Sequence, residues 1–315
     1  MFLLLDVDRQ LWGEFVQAVG SKGAGLDRFN APAGMALSPD ETRLLVADWN
    51  NERVVVADAR DGRSLRTLQG PAGTLVNPYG VAMVARTGQV LVVDFERNLV
   101  VVFAGVDDDT VVRTLGDGQG HGPRQLRGPH SVAVLDEGDA TDRPVALVAD
   151  TSNHRLSLFR VDDDTLLRHV GSHGAAPGQF EYPKSIAVVS SEVTGSGEAW
   201  LVVGDGNNRR VQVLTLLGAV VRVLMASDGV GPLCLGFGAG VTVCVATGEV
   251  LVSDTRHHRV VAWRLSDGGG CRVVCGSGVA GAGNGQLYMP RGVITTRDGA
   301  LWVSDSDHHR LCMFR

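Results

Sequence analysis

Short apolar runs that end in aspartate recur along the chain, each followed by a polar loop, a basic residue and a second apolar run. They read LLVADWNNERVVVA from Leu44, VLVVDFERNLVVVF from Val90, ALVADTSNHRLSLF from Ala146, LVVGDGNNRRVQVL from Leu201, VLVSDTRHHRVVAW from Val250 and LWVSDSDHHRLCMF from Leu301. Runs such as Val90-Leu91-Val92-Val93 are apolar at every position instead of alternating, the pattern of strands covered on both faces. No helical period of useful length competes, so helices should be almost absent.

The shared aspartates are Asp48, Asp94, Asp150, Asp205, Asp254 and Asp305, spaced by 46, 56, 55, 49 and 51 residues. Arg53, Arg155, Arg210, Arg259 and Arg310 stand five positions after their aspartates; the second unit has Leu99 there. A Pro-x-Gly or Pro-x-Ser step leads into each unit at Pro32, Pro78, Pro129, Pro183 and Pro290, with Gly238-Ala239-Gly240 in its place in the fifth. A further β-rich run follows each of the first five: Ser64–Leu68, Val111–Leu115, Leu166–Val170, Val220–Leu224 and Cys271–Cys275.

Four strands per unit, repeated six times at this period, predict an all-β, six-bladed β-propeller of four-stranded antiparallel blades, one domain spanning 1–315. The sixth unit stops at Phe314-Arg315, and Glu14–Gly20 matches the missing fourth strand, so N- and C-terminal strands should close the ring. Residues 1–12 are expected as an extra strand or tail. Leu3–Asp8 resembles a third strand and competes with Leu311–Arg315 for one position.

Asp150-Thr151-Ser152-Asn153-His154-Arg155-Leu156 and Asp205-Gly206-Asn207-Asn208-Arg209-Arg210-Val211 resemble the NHL repeat, and all six units fit that pattern. The Gly-His and Trp-Asp pairs of WD40 repeats are missing. The resemblance implies a propeller, but the family's functions are diverse: protein-binding modules, RNA-binding modules of tripartite-motif ubiquitin ligases, bacterial sensor domains and the peptidyl-hydroxyglycine amidating lyase. Residues must decide among them.

The lyase would need histidines from several blades around a zinc ion. At the x positions of the Pro-x-Gly/Ser steps stand Ala33, Tyr79, His130, Lys184, Ala239 and Arg291, with one histidine among them. A lactonase-like propeller would need a ring of acids around calcium, which the inner strands do not offer. The Gly276–Gly281 stretch spells GxGxxG, but no helix follows it and similar glycine-rich links recur between units. The Asp107–Asp109 and Asp162–Asp164 runs read as solvated turns.

Composition narrows the partners. Net charge is −6 and the pI about 5.8, so no global field draws the protein to nucleic acid. No stretch is apolar for long enough to span a bilayer, and Met1–Leu5 meets Asp6 and Asp8 without a basic region or cleavage site, as in a soluble start. Five cysteines, an odd number crowded into the C-terminal third, point to a reducing compartment, and the expectation is a cytoplasmic protein that acts as a monomer. Cys271 and Cys275 should share one strand face, where a disulfide or half a metal site competes with plain burial.

The expected site is the channel mouth, where Tyr79, His130, Lys184 and Arg291 gather, with Lys184 and Arg291 holding anions and Tyr79 stacking. Partner-binding loops carry Trp49, Phe95, His257 and His308, and the second histidine of each pair, like His154, should bond within its own blade. The reading is a non-catalytic module, without cofactor or metal, for an acidic or phosphorylated peptide or protein. The alternatives are a small-molecule enzyme of lyase or lactonase type, with His130 the sole acid–base candidate, and an RNA-binding propeller.

Overall fold

The computed structural model describes residues 13–136, 143–226, 230–236 and 239–315. Leu3–Asp8, expected as a rival third strand, lies outside them, as does Gly238 of the fifth step. Among the described residues, twenty-four strands form six four-stranded antiparallel sheets. Helix is confined there to Ser191–Thr194 and to short 3-10 turns such as Trp49–Asn51.

Blade one shows the plan. Its strands are Pro32–Leu37, Arg43–Asp48, Arg53–Asp58 and Ser64–Leu68, hydrogen-bonded in that order. The first strands of the other blades are Pro78–Met83, Val132–Leu135, Pro183–Val189, Val241–Cys244 and Pro290–Thr295. Each touches the first strand of the blade on either side, and the last touches the first, so they line a closed ring. Blade six gains its outer strand from the other end of the chain: Phe15–Val19 pairs antiparallel with Arg310–Phe314.

The apolar runs have the burial their pattern predicts. Val90, Leu91, Val92 and Val93 are fully buried, and six apolar clusters each join residues of two neighbouring blades. At about 25 cal/mol per Å² of apolar surface removed from water, these six interfaces are the main source of stability.

The aspartate–arginine spacing follows from a tight reversal. After Asp48 comes the 3-10 turn, then Glu52 in the left-handed region at φ 55°, and then Arg53, which lands directly opposite Asp48 in the sheet. Asn98, His154, Arg209, His258 and His309 occupy the same left-handed position. A non-glycine residue there costs of order 1 kcal/mol, so the turn persists only because its neighbours hold it.

Each shared aspartate is fully buried. Asp205 accepts the backbone N–H of Glu181 at 2.7 Å, the Asn208 side-chain amide at 2.9 Å and Arg210 Nε at 2.8 Å. The Arg210 Nη groups then donate to the carbonyls of Ala175, Ala176 and Gln179 in the glycine-rich link. One ion pair thereby clamps the connection between blades. In blade two, where Leu99 replaces arginine, Arg97 donates to the link carbonyl of Thr74 at 2.7 Å, and the N–H groups of Val76 and Arg97 cover Asp94.

A channel mouth with an aromatic wall

The glycines of the Pro-x-Gly step decide how narrow the axis is. A β-carbon on Gly34 would stand 2.6 Å from the Tyr79 carbonyl oxygen, one on Gly80 2.8 Å from that of His130, and one on Gly240 2.5 Å from that of Arg291. A β-carbon on Gly292 would strike the Ala33 carbonyl. At these four positions the neighbouring strand comes this close only because the residue has no side chain; in blades three and four Ser131 and Ser185 stand there. The axial cavity they enclose measures about 70 Å³, room for a few waters but not for a ligand.

The bulky x residues are therefore displaced onto the mouth, where they pack on one another. The rings of Tyr79 and His130 lie 5.0 Å apart, Tyr79 and Trp49 5.3 Å, Phe95 and His130 5.1 Å. The Arg291 guanidinium caps this group, 4.6 Å above the Trp49 ring and 5.7 Å from Tyr79. Four of the predicted mouth and loop residues from blades one to three thus form one wall with Arg291 of blade six.

Their accessibility differs from the expectation. Tyr79 is 2% exposed and His130 3%, so the Tyr79 ring is packing and not a stacking platform. Trp49 and Phe95, half-buried, form the accessible rim above it. The physical reason is the crowded axis, which leaves no room for side chains to point inward.

Burial also sets the charges. Desolvation, reinforced by the Lys184 and Arg291 charges, holds His130 well below the usual histidine range, so the ring is neutral at pH 7. Its Nδ1–H donates to the Gly128 carbonyl at 2.8 Å. Burial pushes the Tyr79 phenol up to about 12 and brings the Lys184 ammonium down to about 8. Arg291, 7% exposed, has two buried nitrogens, Nε and Nη1, without a hydrogen-bond partner.

His257 and His308 are engaged by the blades themselves. Each bonds through Nδ1 to the buried aspartate three residues earlier, Asp254 or Asp305, at 2.9 Å, in the place that Asn208 takes in blade four. The second histidines do not bond within their own blade as expected. His154 Nδ1 accepts the N–H of Tyr182, His258 that of Met289 and His309 that of Ala31, each on the following blade. The left-handed turn aims the ring across the junction, a direction the repeat alone does not reveal.

Cys271 and Cys275 also part from expectation. Val260 pairs with Cys275 but Val261 with Val273, so a bulge at Val274 reverses the alternation. Cys275 packs between blades five and six and Cys271 between four and five. Among the described residues, no group of three or more His, Cys, Asp or Glu side chains is placed to hold a metal ion, and no helix is long and apolar enough to cross a membrane.

No family model and no curated protein matches the chain. Solved structures do. A protein of unknown function from Bacteroides thetaiotaomicron VPI-5482 is similar over 96% of this chain and 76% of its own, with a TM-score of 0.65 at 18% identity. Streptogramin B lyase is similar over 97% and 99% at a TM-score of 0.60 and 10% identity. Kuenenia stuttgartiensis hydrazine synthase is similar over 90% and 76% at 0.57 and 13%. At such identities the likeness establishes the propeller and nothing finer.

Proposed function

We propose that this propeller, of NHL type by its repeat, is a non-catalytic interaction module whose mouth binds an acidic or phosphorylated segment of a partner protein. One observation carries the reading: a guanidinium, that of Arg291, is buried against Trp49 and Tyr79 with two donors unsatisfied. Burying a cation without a carboxylate costs several kcal/mol, which the ring contacts offset only in part. An incoming carboxylate or phosphoryl oxygen would reach those buried donors as the aromatic rim shifts, and would then pair with a largely desolvated guanidinium.

The surroundings suit a peptide. Half-exposed Trp49 and Phe95 offer rigid aromatic surface beside the cation, a combination typical of binding hot spots. A small-molecule enzyme has less support, since His130 is neutral, covered by two rings and committed through Nδ1 to Gly128. RNA binding is disfavoured by the net charge of −6 and by the burial of Tyr79.

A peptide array spanning acidic, phosphorylated and neutral sequences tests the reading. Binding should favour the anionic members and weaken at least tenfold in the Arg291→Ala, Lys184→Ala double variant. Equal binding by that variant would remove the proposal.

A further inference from the structure

The six junctions between blades are not equivalent. Three are clasped by a histidine accepting a backbone N–H from the next blade, and a fourth by Asn98 Oδ1 accepting from Gly128 at 2.7 Å. Between blades four and five the corresponding residue is Arg209, whose guanidinium has only donors and cannot make that bond. The residue after the shared aspartate there is Gly206, where blades one and two carry Trp49 and Phe95. With neither clasp nor aromatic lid, the junction opens into a cavity of about 430 Å³ lined by Glu181, Lys184, Asn207, Arg209, Cys234 and Arg256, among others.

The backbone around this cavity is shaped to seat cations. A β-carbon on Gly206 would lie 2.9 Å from Lys184 Cγ and 2.7 Å from the Tyr182 carbonyl, so glycine there lets the lysine stem lie along the floor. Gly236 lies against the Arg256 stem in the same way, its notional β-carbon 3.2 Å from Arg256 Cγ. Lys184 is buried, while Arg209 and Arg256 are exposed on the two walls, one from each blade. Three cations face one carboxylate, on a protein whose net charge is −6.

We infer that this cleft is a phosphoryl-binding subsite, which takes a phosphorylated side chain of the segment bound at the mouth. The inference rests on the peptide-binding reading above and deepens it. Two forked guanidiniums and a rotatable ammonium offer more donors than a carboxylate can use, but a phosphoryl dianion brings three terminal oxygens and nearly two charges. The cavity holds such a group together with the side chain bearing it. A nucleic-acid backbone is a poorer fit, because the cations line a recess and not a track along the surface.

Lys184 supplies a second signature. Burial leaves its ammonium titrating at about 8, so it is mostly charged at neutral pH and a docked dianion would raise that value. Binding should take up protons near pH 8 and weaken as the pH rises beyond it.

The test uses the whole protein with inorganic phosphate and with one peptide in serine and phosphoserine forms, followed by calorimetry in two buffers of different ionisation enthalpy. The phosphoserine form should bind at least tenfold more tightly than the serine form, phosphate should compete with it, and proton uptake should accompany binding at pH 8. Arg209→Ala with Arg256→Ala should erase that preference, while Arg209→Lys with Arg256→Lys keeps part of it; both positions are exposed, so circular dichroism should be unchanged. Equal affinity of both peptide forms, or a preference indifferent to Arg209 and Arg256, overturns the subsite. If acidic peptides still bind through Arg291 in that case, the mouth reading stands without it. A single-stranded RNA that displaces phosphate with steep salt dependence would overturn the peptide assignment.

Discussion

Arg291 of blade six lies 4.6 Å above the indole of Trp49 in blade one, spanning the junction that the terminal strands help to close. The contact places a buried charge at a seam with no carboxylate on its Nε or Nη1. Such an arrangement favours binding over stability. Arg291→Met should therefore leave the unfolding free energy unchanged or raise it by about 1 kcal/mol, the usual result of replacing a buried charge by an apolar group of similar volume. Denaturant titration measures this, and a loss of more than about 3 kcal/mol would show the guanidinium to be structural.

Arg210 predicts the opposite. Its guanidinium joins Asp205 to three link carbonyls. Arg210→Ala strands a fully buried carboxylate and should cost about 3–5 kcal/mol. Arg97→Ala, which removes an exposed bond to the Thr74 carbonyl, should cost about 1 kcal/mol. Comparable losses would refute the distinction between clamp and substitute.

The three clasping histidines make stability depend on pH. His154, His258 and His309 accept a backbone N–H through Nδ1, which only the neutral ring can do, and burial lowers the affinity of each for protons. Their folded values lie below the unfolded one near 6.5, so the unfolded chain binds more protons between the two. Their contribution is complete above about pH 6.5 and is lost as the pH falls below it. A triple His→Asn variant should keep the clasps, as Asn98 does, and flatten the melting temperature between pH 7.5 and 5. An unchanged slope in that variant would assign the acid sensitivity elsewhere.

Crowding at the axis is testable with one methyl group. Gly240→Ala would place a β-carbon 2.5 Å from the Arg291 carbonyl, backbone that cannot swing aside. The expected cost is about 1–3 kcal/mol, with the ring forced open on that side. Gly240 is not at positive φ, so its cost reports crowding alone, whereas Gly299→Ala and Gly248→Ala, with nothing within 4 Å but φ of 86° and 66°, report backbone strain alone.

How much of this is legible in the residues divides along physical lines. The recurrent Asp and Arg define blades because a five-residue reversal makes them cross-strand partners, a local relation that sequence carries directly. The strand Phe15–Val19 is legible by subtraction, since blade six lacks its fourth strand. Burial of Tyr79 and His130 is not, because it comes from the closeness of inner strands in three dimensions. Nor are the histidine clasps or the opposed faces of Cys271 and Cys275, which depend on a left-handed turn and a bulge. The cavity between blades four and five could have been suspected from Gly206 and Arg209, the two positions where that unit departs from its neighbours.

The pairing of Phe15–Val19 with Arg310–Phe314 also bears on how the chain is made. At roughly 5–20 residues per second, the ribosome needs about 15–60 s to go from the first of these strands to the second. Through that interval the earliest strand of the ring has no edge to join, and the aromatic pair Phe15 and Phe314 cannot meet. The earliest of the described ring strands is thus the last seated, so growing blades must stay soluble as an open arc until translation delivers its counterpart.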